Sequence, residues 1–375
     1  MNLNPTQLRA ARRVRALREA INLKQEDLAD AIGFENRQTL ASAEAGERPL
    51  SAKELAAAAR ALNVSVDRLV DPFQLVGEGD FSFRTANDVQ EETVRAFQES
   101  AGRWVATYRE LAAQEGVPPK ALGLKLELPE RPSYEEVQSA AEALWREWDL
   151  GDAPAARLEK ALETCLGLLV LYVDAPTGVS GAAVQLPGLQ AILVNRAEAE
   201  GRRSYDLAHE LFHVLTWDTF QPGWIEPIEP KRVKGSRVEQ LAENFAAALL
   251  MPSEVIAKRW GARGGVHMTD WLTVTAQALR VSTTALGWRL VNLKMLAKGE
   301  WLDLLGGDGA VAVEPAARAD PPRLFNTAFV NRVHCAVEAG RLSLGRAAAL
   351  LELSIQDFAA LCHEYGMSLS YDLGV

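Results

Sequence analysis

The chain has 375 residues, more than one ordinary hydrophobic core accommodates, so we expect two or three domains. Hydrophobic residues make up 48% and charged residues 24%, which excludes disordered, collagen-like and coiled-coil proteins. The start is polar and basic, no long apolar window follows, and the three cysteines show no CxxC spacing, so we expect a cytoplasmic protein without a membrane span.

Charge is distributed unevenly along the chain. The net charge is −10, but residues 1–72 carry 11 Lys and Arg against 10 Asp and Glu. A locally basic first segment followed by an acidic remainder is typical of a small DNA-binding domain joined to a domain with a different function.

The first segment reads as a series of short helices. The pattern predicts helices over Leu8–Ala20, Gln25–Ile32, about Asn36 to Ala45, and Ala52–Leu62. Gly33 makes the turn between the second and third helices, and Gly46 ends the third. Ser51 and Glu54 form a capping box before the fourth. Short helices with a tight glycine turn predict a helix-turn-helix.

The stretches LKQEDLADAIGF and TLASAEAGERPLSAKELAAAARALNVSVDRLVD resemble the XRE (Cro/repressor-like) family. The segment from Gly33 to Glu44 is about one residue longer than the usual pattern. The resemblance implies a recognition helix in the major groove. It places Asn36, Arg37, Gln38 and Thr39 at the DNA, with Gln25 and Arg48 near phosphates. The alternative is an XRE fold used for protein contact or dimerisation, since the acidic remainder weakens non-specific DNA binding.

Residues 73–152 are predicted to form a helical connector. A helical pattern runs from Asp88 to Gln114, and Pro118 and Pro119 follow its end. Ser133 and Glu136 predict a second capping box. We find no cluster of metal-ligating residues in this region.

The central region carries the chemistry. Gly167–Val173 and Gly188–Asn195 are predicted strands, followed by the motif AHELFH. On a helix His209 and His213 are one turn apart, a spacing that suits two ligands of one zinc ion, while Glu210 flanks the metal. The neighbouring apolar residues predict a buried helix, and a buried glutamate between buried histidines needs a partner such as a metal.

A catalytic zinc needs a third protein ligand downstream. His267, His334 and His363 are each isolated in a different context. Glu239 and Glu243 lie one turn apart on a predicted helix over Val238–Leu250, and spacing alone leaves both open.

A strand ending in Val-Asn, then AHELFH, then VEQLAENFAAALLMP, is similar to the ImmA/IrrE family of zinc metallopeptidases, over roughly residues 155–295. The resemblance implies one Zn²⁺ per chain, with Glu239 as the third ligand beside His209 and His213. Glu243 stands where relatives usually have Asn, which makes it a second candidate ligand or a group that hydrogen-bonds to a ligand.

The parts predict a mechanism. Zinc lowers the pKa of its bound water, and Glu210 takes the water proton and delivers it to the leaving amine. Tyr205 and Arg203 are candidate transition-state stabilisers by their place in sequence. The strand before the metal helix is the predicted edge for an extended substrate, through the positions Leu189, Ala191, Leu193 and Asn195.

The last part of the chain begins with an Ala, Pro and Asp-rich linker over residues 306–322. Residues 323–375 are similar to small antitoxin-like modules, with one helix beginning at Ser343 and the next spanning Ile355–Tyr365. Because this module has few cations, we expect protein contact or self-association, including a homodimer. Cys335 and Cys362 are expected in its core.

The predicted fold class is mainly α with a small β-sheet (α+β). The domains are an XRE head of five helices over 1–72, the connector over 73–152, a zincin-like peptidase domain over 153–305, the linker, and the C-terminal module.

The resemblances imply a regulatory zinc endopeptidase that cuts an adjacently encoded helix-turn-helix repressor, and so derepresses stress, DNA-damage, mobile-element or antiphage genes. In relatives activation is linked to DNA damage and in some to single-stranded DNA. The alternatives are a non-catalytic XRE regulator that uses the peptidase fold for a ligand or partner, and an antitoxin-like docking protein.

Overall fold

The computed structural model describes residues 3–227, 237–306 and 320–370. The chain divides into two compact units, one formed by Met1–Gly79, Gln98–Pro119 and Asn331–Val375, the other by Asp80–Phe97 and Lys120–Val330. Residues 307–319, most of the predicted linker, lie outside the described residues. Within the described ranges, no helix is both long enough and apolar enough to cross a membrane.

The first unit is entirely helical in its described residues. It contains α1 (Pro5–Ala20), α2 (Gln25–Ile32), α3 (Arg37–Glu44), α4 (Ala52–Ala61), α5 (Val66–Val70), the later part of α6 (Glu91–Gln114), the last two thirds of α15 (Thr327–Glu338), α16 (Leu344–Leu351) and α17 (Ile355–Glu364).

Local signals set the helix ends of this unit. α1 begins three residues before the predicted start, because Asn4 and Gln7 form a capping box in which each side chain accepts from the other's backbone N–H. Gly33 ends α2 at φ +89°, a left-handed conformation that glycine adopts without strain. The predicted box of Ser51 and Glu54 precedes α4.

The head encloses a small core and a buried ion pair. Leu28, Leu40 and Leu69 are fully buried in that core. Arg18 donates from Nε to Glu44 Oε1 at 2.7 Å and from Nη2 to Oε2 at 2.9 Å. A buried carboxylate is tolerated here because a two-point guanidinium pair satisfies both of its oxygens.

The C-terminal helices pack in the same unit as the head. Arg346 of α16 pairs with Asp71, and Arg103 of α6 lies 2.7 Å from Glu352 at the end of α16. Cys362 is buried as expected, whereas Cys335 is exposed, so the prediction of two core cysteines is wrong for Cys335. The buried stripe of α15 runs through Val333, Ala336 and Val337, and Cys335 lies off it.

The second unit combines one mixed sheet with helices. Its strands are β1 (Asp80–Thr85), β2 (Leu169–Val173), β3 (Val179–Leu186), β4 (Leu189–Asn195) and β5 (Ile225–Pro227), in the order β2-β4-β3-β1-β5. Its helices are the start of α6, then α7 (Tyr134–Glu147), α8 (Ala155–Ala161) with a π-helical turn over Leu162–Leu166, α9 (Glu200–Thr216), α10 (Arg237–Leu250), α11 (Ser253–Gly261), α12 (Met268–Leu279), α13 (Thr283–Asn292) and α14 (Lys298–Gly306).

Strand pairing corrects one part of the connector prediction. Residues 80–85 form β1, antiparallel to β3, rather than part of a purely helical connector. The two phenylalanines of this strand, Phe81 and Phe83, are buried and stack with ring centroids 5.7 Å apart. Aromatic residues suit a buried strand. The pairing of β1 with β3 joins residues that are far apart in the sequence, with Arg84 opposite Gly181.

Strand order also corrects the predicted substrate edge. β4 pairs in parallel with β2 on one side and antiparallel with β3 on the other. Its backbone groups are therefore taken up by the sheet, and the prediction that Leu189–Asn195 binds substrate as an edge strand is wrong.

The core of the second unit lies between the sheet and its longest helices. α9 packs on β3 and β4, and α10 packs on both α9 and α7. α10 carries the fully buried residues Phe245 and Leu249, and α9 carries Phe212. This arrangement brings the start of α10 beside the second half of α9.

Candidate metal centre

The two histidines of α9 converge as the helical spacing predicts. His209, Glu210 and His213 are each 1% exposed. The apolar positions around them, Leu207 and Leu211 among them, hold the helix against the core. One turn of helix brings the imidazoles together, with His209 Nε2 and His213 Nε2 3.1 Å apart.

Glu239 completes a group of three at the first turn of α10. Its Oε2 lies 3.1 Å from His209 Nε2, and its Oε1 lies 3.1 Å from His213 Nε2. The three residues form a cluster whose donor atoms lie within 4.8 Å of one another, and His267, His334 and His363 do not belong to it.

The three donors fit a zinc ion. Two atoms bound to one tetrahedral zinc at ~2.0–2.1 Å lie about 3.3 Å apart, close to the spacing of the two imidazole nitrogens. Two imidazoles with one carboxylate form a donor set used by catalytic zinc sites, which leave a fourth position for water.

The protonation states agree with metal binding. Burial, reinforced by the charge of Arg84, lowers the pKa of His209 to about 4. Burial alone would raise the pKa of Glu239, but hydrogen bonds with His209 and His213 outweigh it and hold that pKa well below its ordinary range. A neutral imidazole and an ionised carboxylate are the forms that bind a metal.

Glu210 lies between the two histidines in sequence and beside the sheet in space. A Cβ placed at Gly181 on β3 would lie 3.6 Å from Glu210 Cγ, an ordinary van der Waals distance, so the Glu210 side chain lies close to the β3 backbone. Glu210 Oε2 has no hydrogen-bond partner among the described residues, and burial raises the Glu210 pKa well above its ordinary value. A buried carboxylate with an unused oxygen is suited to accept a proton.

Glu243 lies behind His209 and outside the group of three. Its Oε1 is 3.6 Å from His209 Nδ1, the ring nitrogen that does not face Glu239. Tyr205 donates its hydroxyl to Glu243 Oε2 at 2.7 Å and is also 2.9 Å from the Glu243 carbonyl oxygen. Of the two glutamates left open by the sequence, the structure brings Glu239 to the histidine Nε2 atoms.

Arg84 is a site residue that the sequence analysis missed. It enters from β1, is 4% exposed, and donates from Nη2 to Glu243 Oε1 at 2.6 Å. Its Nε lies 3.3 Å from Asp206 Oδ1. The only sequence signal was Glu243 itself, since a second carboxylate on an apolar helix requires a nearby cation.

The two proposed stabilisers have other partners. The Tyr205 hydroxyl donates its hydrogen bond to Glu243. Arg203 donates to the carbonyl oxygens of Arg196 and Glu198, so the structure does not bring its guanidinium to the histidines. Asn195 donates its amide to the carbonyl oxygen of Val179 at 2.8 Å within the sheet.

Four of the six predicted DNA-contact residues lie together at the start of α3. Asn36, Arg37 and Gln38 are exposed at the start of α3, and Thr39 is half-buried. Asn36 caps α3 by accepting from the Thr39 backbone N–H at 3.0 Å.

Two other predicted DNA-contact residues have protein partners. Gln25 donates to Glu44 Oε2 at 2.8 Å. Arg48 lies 2.5 Å from Glu54 and over the Phe34 ring. Arg37 and Gln38 are therefore the exposed residues of the predicted set that do not cap α3.

Comparisons with known proteins support two assignments. Residues 14–69 match the family model of a helix-turn-helix, and residues 163–291 match that of the IrrE N-terminal-like domain, a peptidase family. The chain is thus an XRE-type helix-turn-helix fused to an ImmA/IrrE-type domain, which confirms both resemblances. The histidines, Glu210, Glu239 and Glu243 fall within the second match, whereas Arg84 lies outside both.

One solved structure aligns over nearly the whole length of the chain without sharing its fold. A solved structure titled "Structure of PrgX" is 10% identical and aligns over 96% of this chain and 95% of its own, but its TM-score of 0.17 does not indicate a shared fold. The chain matches no curated protein.

Proposed function

We propose that this chain, a helix-turn-helix domain fused to an IrrE N-terminal-like domain, is a regulatory zinc endopeptidase. The observation that carries the proposal is the convergence of His209, His213 and Glu239 within hydrogen-bond distance of one another, with Glu210 beside them. The family match supports a metallopeptidase, and the geometry supplies the residues for one.

The donor set favours a catalytic over a structural metal site. Structural zinc sites are closed by four protein ligands, usually cysteine and histidine. In the described residues the cluster contains three possible ligands and no cysteine. A structural site also gives no role to Glu210, a buried carboxylate with an unpartnered oxygen.

Each residue has a defined task in peptide hydrolysis. His209, His213 and Glu239 would hold the zinc, which when bound would activate a water molecule and polarise the scissile carbonyl. Glu210 accepts the proton of the attacking water at its carboxylate and passes it to the nitrogen of the leaving amine. The low pKa of Glu239 keeps that carboxylate ionised and leaves the proton-transfer role to Glu210.

The proposed substrate is a helix-turn-helix repressor encoded beside this chain. The support is the fusion itself, because a helix-turn-helix domain attached to a peptidase suits an enzyme that acts on transcription. We further propose that the head binds DNA through Arg37 and Gln38, and that DNA, single-stranded DNA included, stimulates cleavage. Cleavage of the repressor would then derepress stress, mobile-element or antiphage genes.

Zinc content and cleavage together test the proposal. Mass spectrometry of purified wild-type, Glu239→Ala and Glu243→Gln proteins measures the metal, and the adjacently encoded repressor is then added and analysed on a gel. We expect one zinc per chain in the wild type and in Glu243→Gln, loss of zinc in Glu239→Ala, and discrete repressor fragments. Zinc without fragments, with DNA present, would instead favour a non-catalytic regulator that binds the repressor.

A further inference from the structure

A second carboxylate beside the proposed zinc site poses a chemical problem. Glu243 follows Glu239 by one helical turn, so both project from the same side of α10. A catalytic zinc must keep a coordination position open for water. A free carboxylate this close to His209 could occupy that position as a fourth protein ligand.

The contacts of Glu243 show how its carboxylate is held. Arg84 engages Oε1 at 2.6 Å, and the Tyr205 hydroxyl engages Oε2 at 2.7 Å. Oε1 lies 3.6 Å from His209 Nδ1, just beyond hydrogen-bond distance, and this buried nitrogen has no hydrogen-bond partner among the described residues, so Glu243 is the nearest carboxylate placed to accept an Nδ1–H. A metal-binding histidine commonly donates its other ring N–H to such a carboxylate.

We propose that Arg84 is a positioning residue that keeps Glu243 behind His209, as the acceptor for its Nδ1–H, and out of the coordination sphere of the metal. The inference rests on the proposed metal site. It assigns a role in that site to a residue of β1, which lies outside the region matched by the peptidase family.

A purely structural role for Arg84 would rest on Asp206 instead. Asp206 is completely buried, and Arg84 Nε lies 3.3 Å from its Oδ1. Arg202 also lies 3.3 Å from Asp206, so this carboxylate has a second cation. The contact of Arg84 with Glu243, at 2.6 Å, is shorter than its contact with Asp206, at 3.3 Å. Glu243 therefore depends on Arg84 for its arginine partner, whereas Asp206 has Arg202 as well.

The test uses Co²⁺ in place of zinc, because its visible absorption band reports the number and geometry of its ligands. Arg84→Met retains a side chain of similar length in the buried space but removes the cation. We expect a shift in the band of this variant, as Glu243 approaches the metal. Cleavage should also fall by about tenfold or more.

Two further variants make the test specific. Arg84→Met with Glu243→Gln should restore the wild-type band, because no free carboxylate remains to approach the metal and the amide oxygen can take the place of the carboxylate as acceptor for the His209 Nδ1–H. Arg202→Gln is the matched control, because it also removes a cation from Asp206 but leaves the contacts of Glu243 with Arg84 and Tyr205 in place. We expect no shift of the Co²⁺ band in this variant. Where Arg84→Met does not fold by circular dichroism, Arg84→Gln takes its place.

The outcomes separate this inference from the proposed function. A folded Arg84→Met protein with the wild-type band, or a double variant as shifted as the single one, would overturn the positioning role. A wild-type protein that binds no Co²⁺ would overturn the metal site, and the inference with it. Because the band is independent of proteolysis, an inactive but metal-binding protein would contradict only the proposed activity.

Discussion

Arg84 and Glu243 are 159 positions apart in the sequence, yet the guanidinium of one lies 2.6 Å from the carboxylate of the other. The contact joins a strand from before the peptidase-matched region to the helix that supplies Glu239. Tyr205 engages the other oxygen of the same carboxylate. A substitution in β1 can therefore alter the surroundings of His209 without changing any residue of the AHELFH motif.

Glu210→Gln is expected to retain zinc and lose cleavage. The amide is nearly isosteric but cannot accept a proton, so the rate should fall by a factor of about 10² to 10⁴. The repressor gel measures the rate, while zinc content and the thermal transition of the same sample serve as controls. Wild-type cleavage by a zinc-loaded Glu210→Gln protein would remove the assigned role.

Removal of the metal should destabilise the second unit. A ligand that binds only the folded state stabilises it by about 2.7 kcal/mol when its concentration is a hundred times its dissociation constant. Differential scanning calorimetry with and without a chelator should show the loss as a lower transition temperature. The same chelator should leave a His213→Ala protein unaffected, and an equal shift in that variant would argue against a metal at this site.

The start of α3 should determine DNA affinity. Arg37→Ala with Gln38→Ala removes the exposed side chains that we assign to base contacts, at an expected loss of about 1–3 kcal/mol for each good contact. Fluorescence anisotropy with the upstream region of the gene measures binding at a fixed salt concentration. Arg60→Ala on α4, also exposed, supplies a matched loss of one charge. If both proteins lose affinity equally, general charge rather than α3 binds the DNA.

Two helical glycines provide a test of packing between α13 and α14. A Cβ at Gly287 on α13 would lie 2.4 Å from the ring of Trp301, which is fully buried, so Gly287→Ala should cost about 1–3 kcal/mol. Gly299 on α14 has nothing within 4 Å of its Cβ position, and Gly299→Ala should be neutral or stabilise by up to about 1 kcal/mol. Urea unfolding compares the two, and a neutral Gly287→Ala would contradict the tight contact with Trp301.

Local signals in the sequence were sufficient for the helices whose ends they mark. The capping boxes of Ser51 and Ser133 and the turn at Gly33 depend on residues three or four positions apart, and all three are present. The placement of His209 and His213 on one side of a buried helix is equally local. The fold class followed from these elements.

The order of the strands could not be obtained in the same way. β1 pairs with β3 across about a hundred residues, so nothing near Arg84 in the sequence indicates its neighbours. The predicted substrate edge failed for the same reason, because β2 and β3 both flank β4. The choice of Glu239 over Glu243 likewise depends on how α10 packs on α9, a tertiary contact that spacing does not encode.

The first unit draws on three separate stretches of the chain, Met1–Gly79, Gln98–Pro119 and Asn331–Val375. The helix-turn-helix is translated before the peptidase-matched region, but Arg346 and Glu352, which pair with Asp71 and Arg103, are translated only after it. The unit that carries the helix-turn-helix is therefore completed only after His209, His213 and Glu239 have been translated. A chain that stops before Arg346 would present the helix-turn-helix without these packing partners.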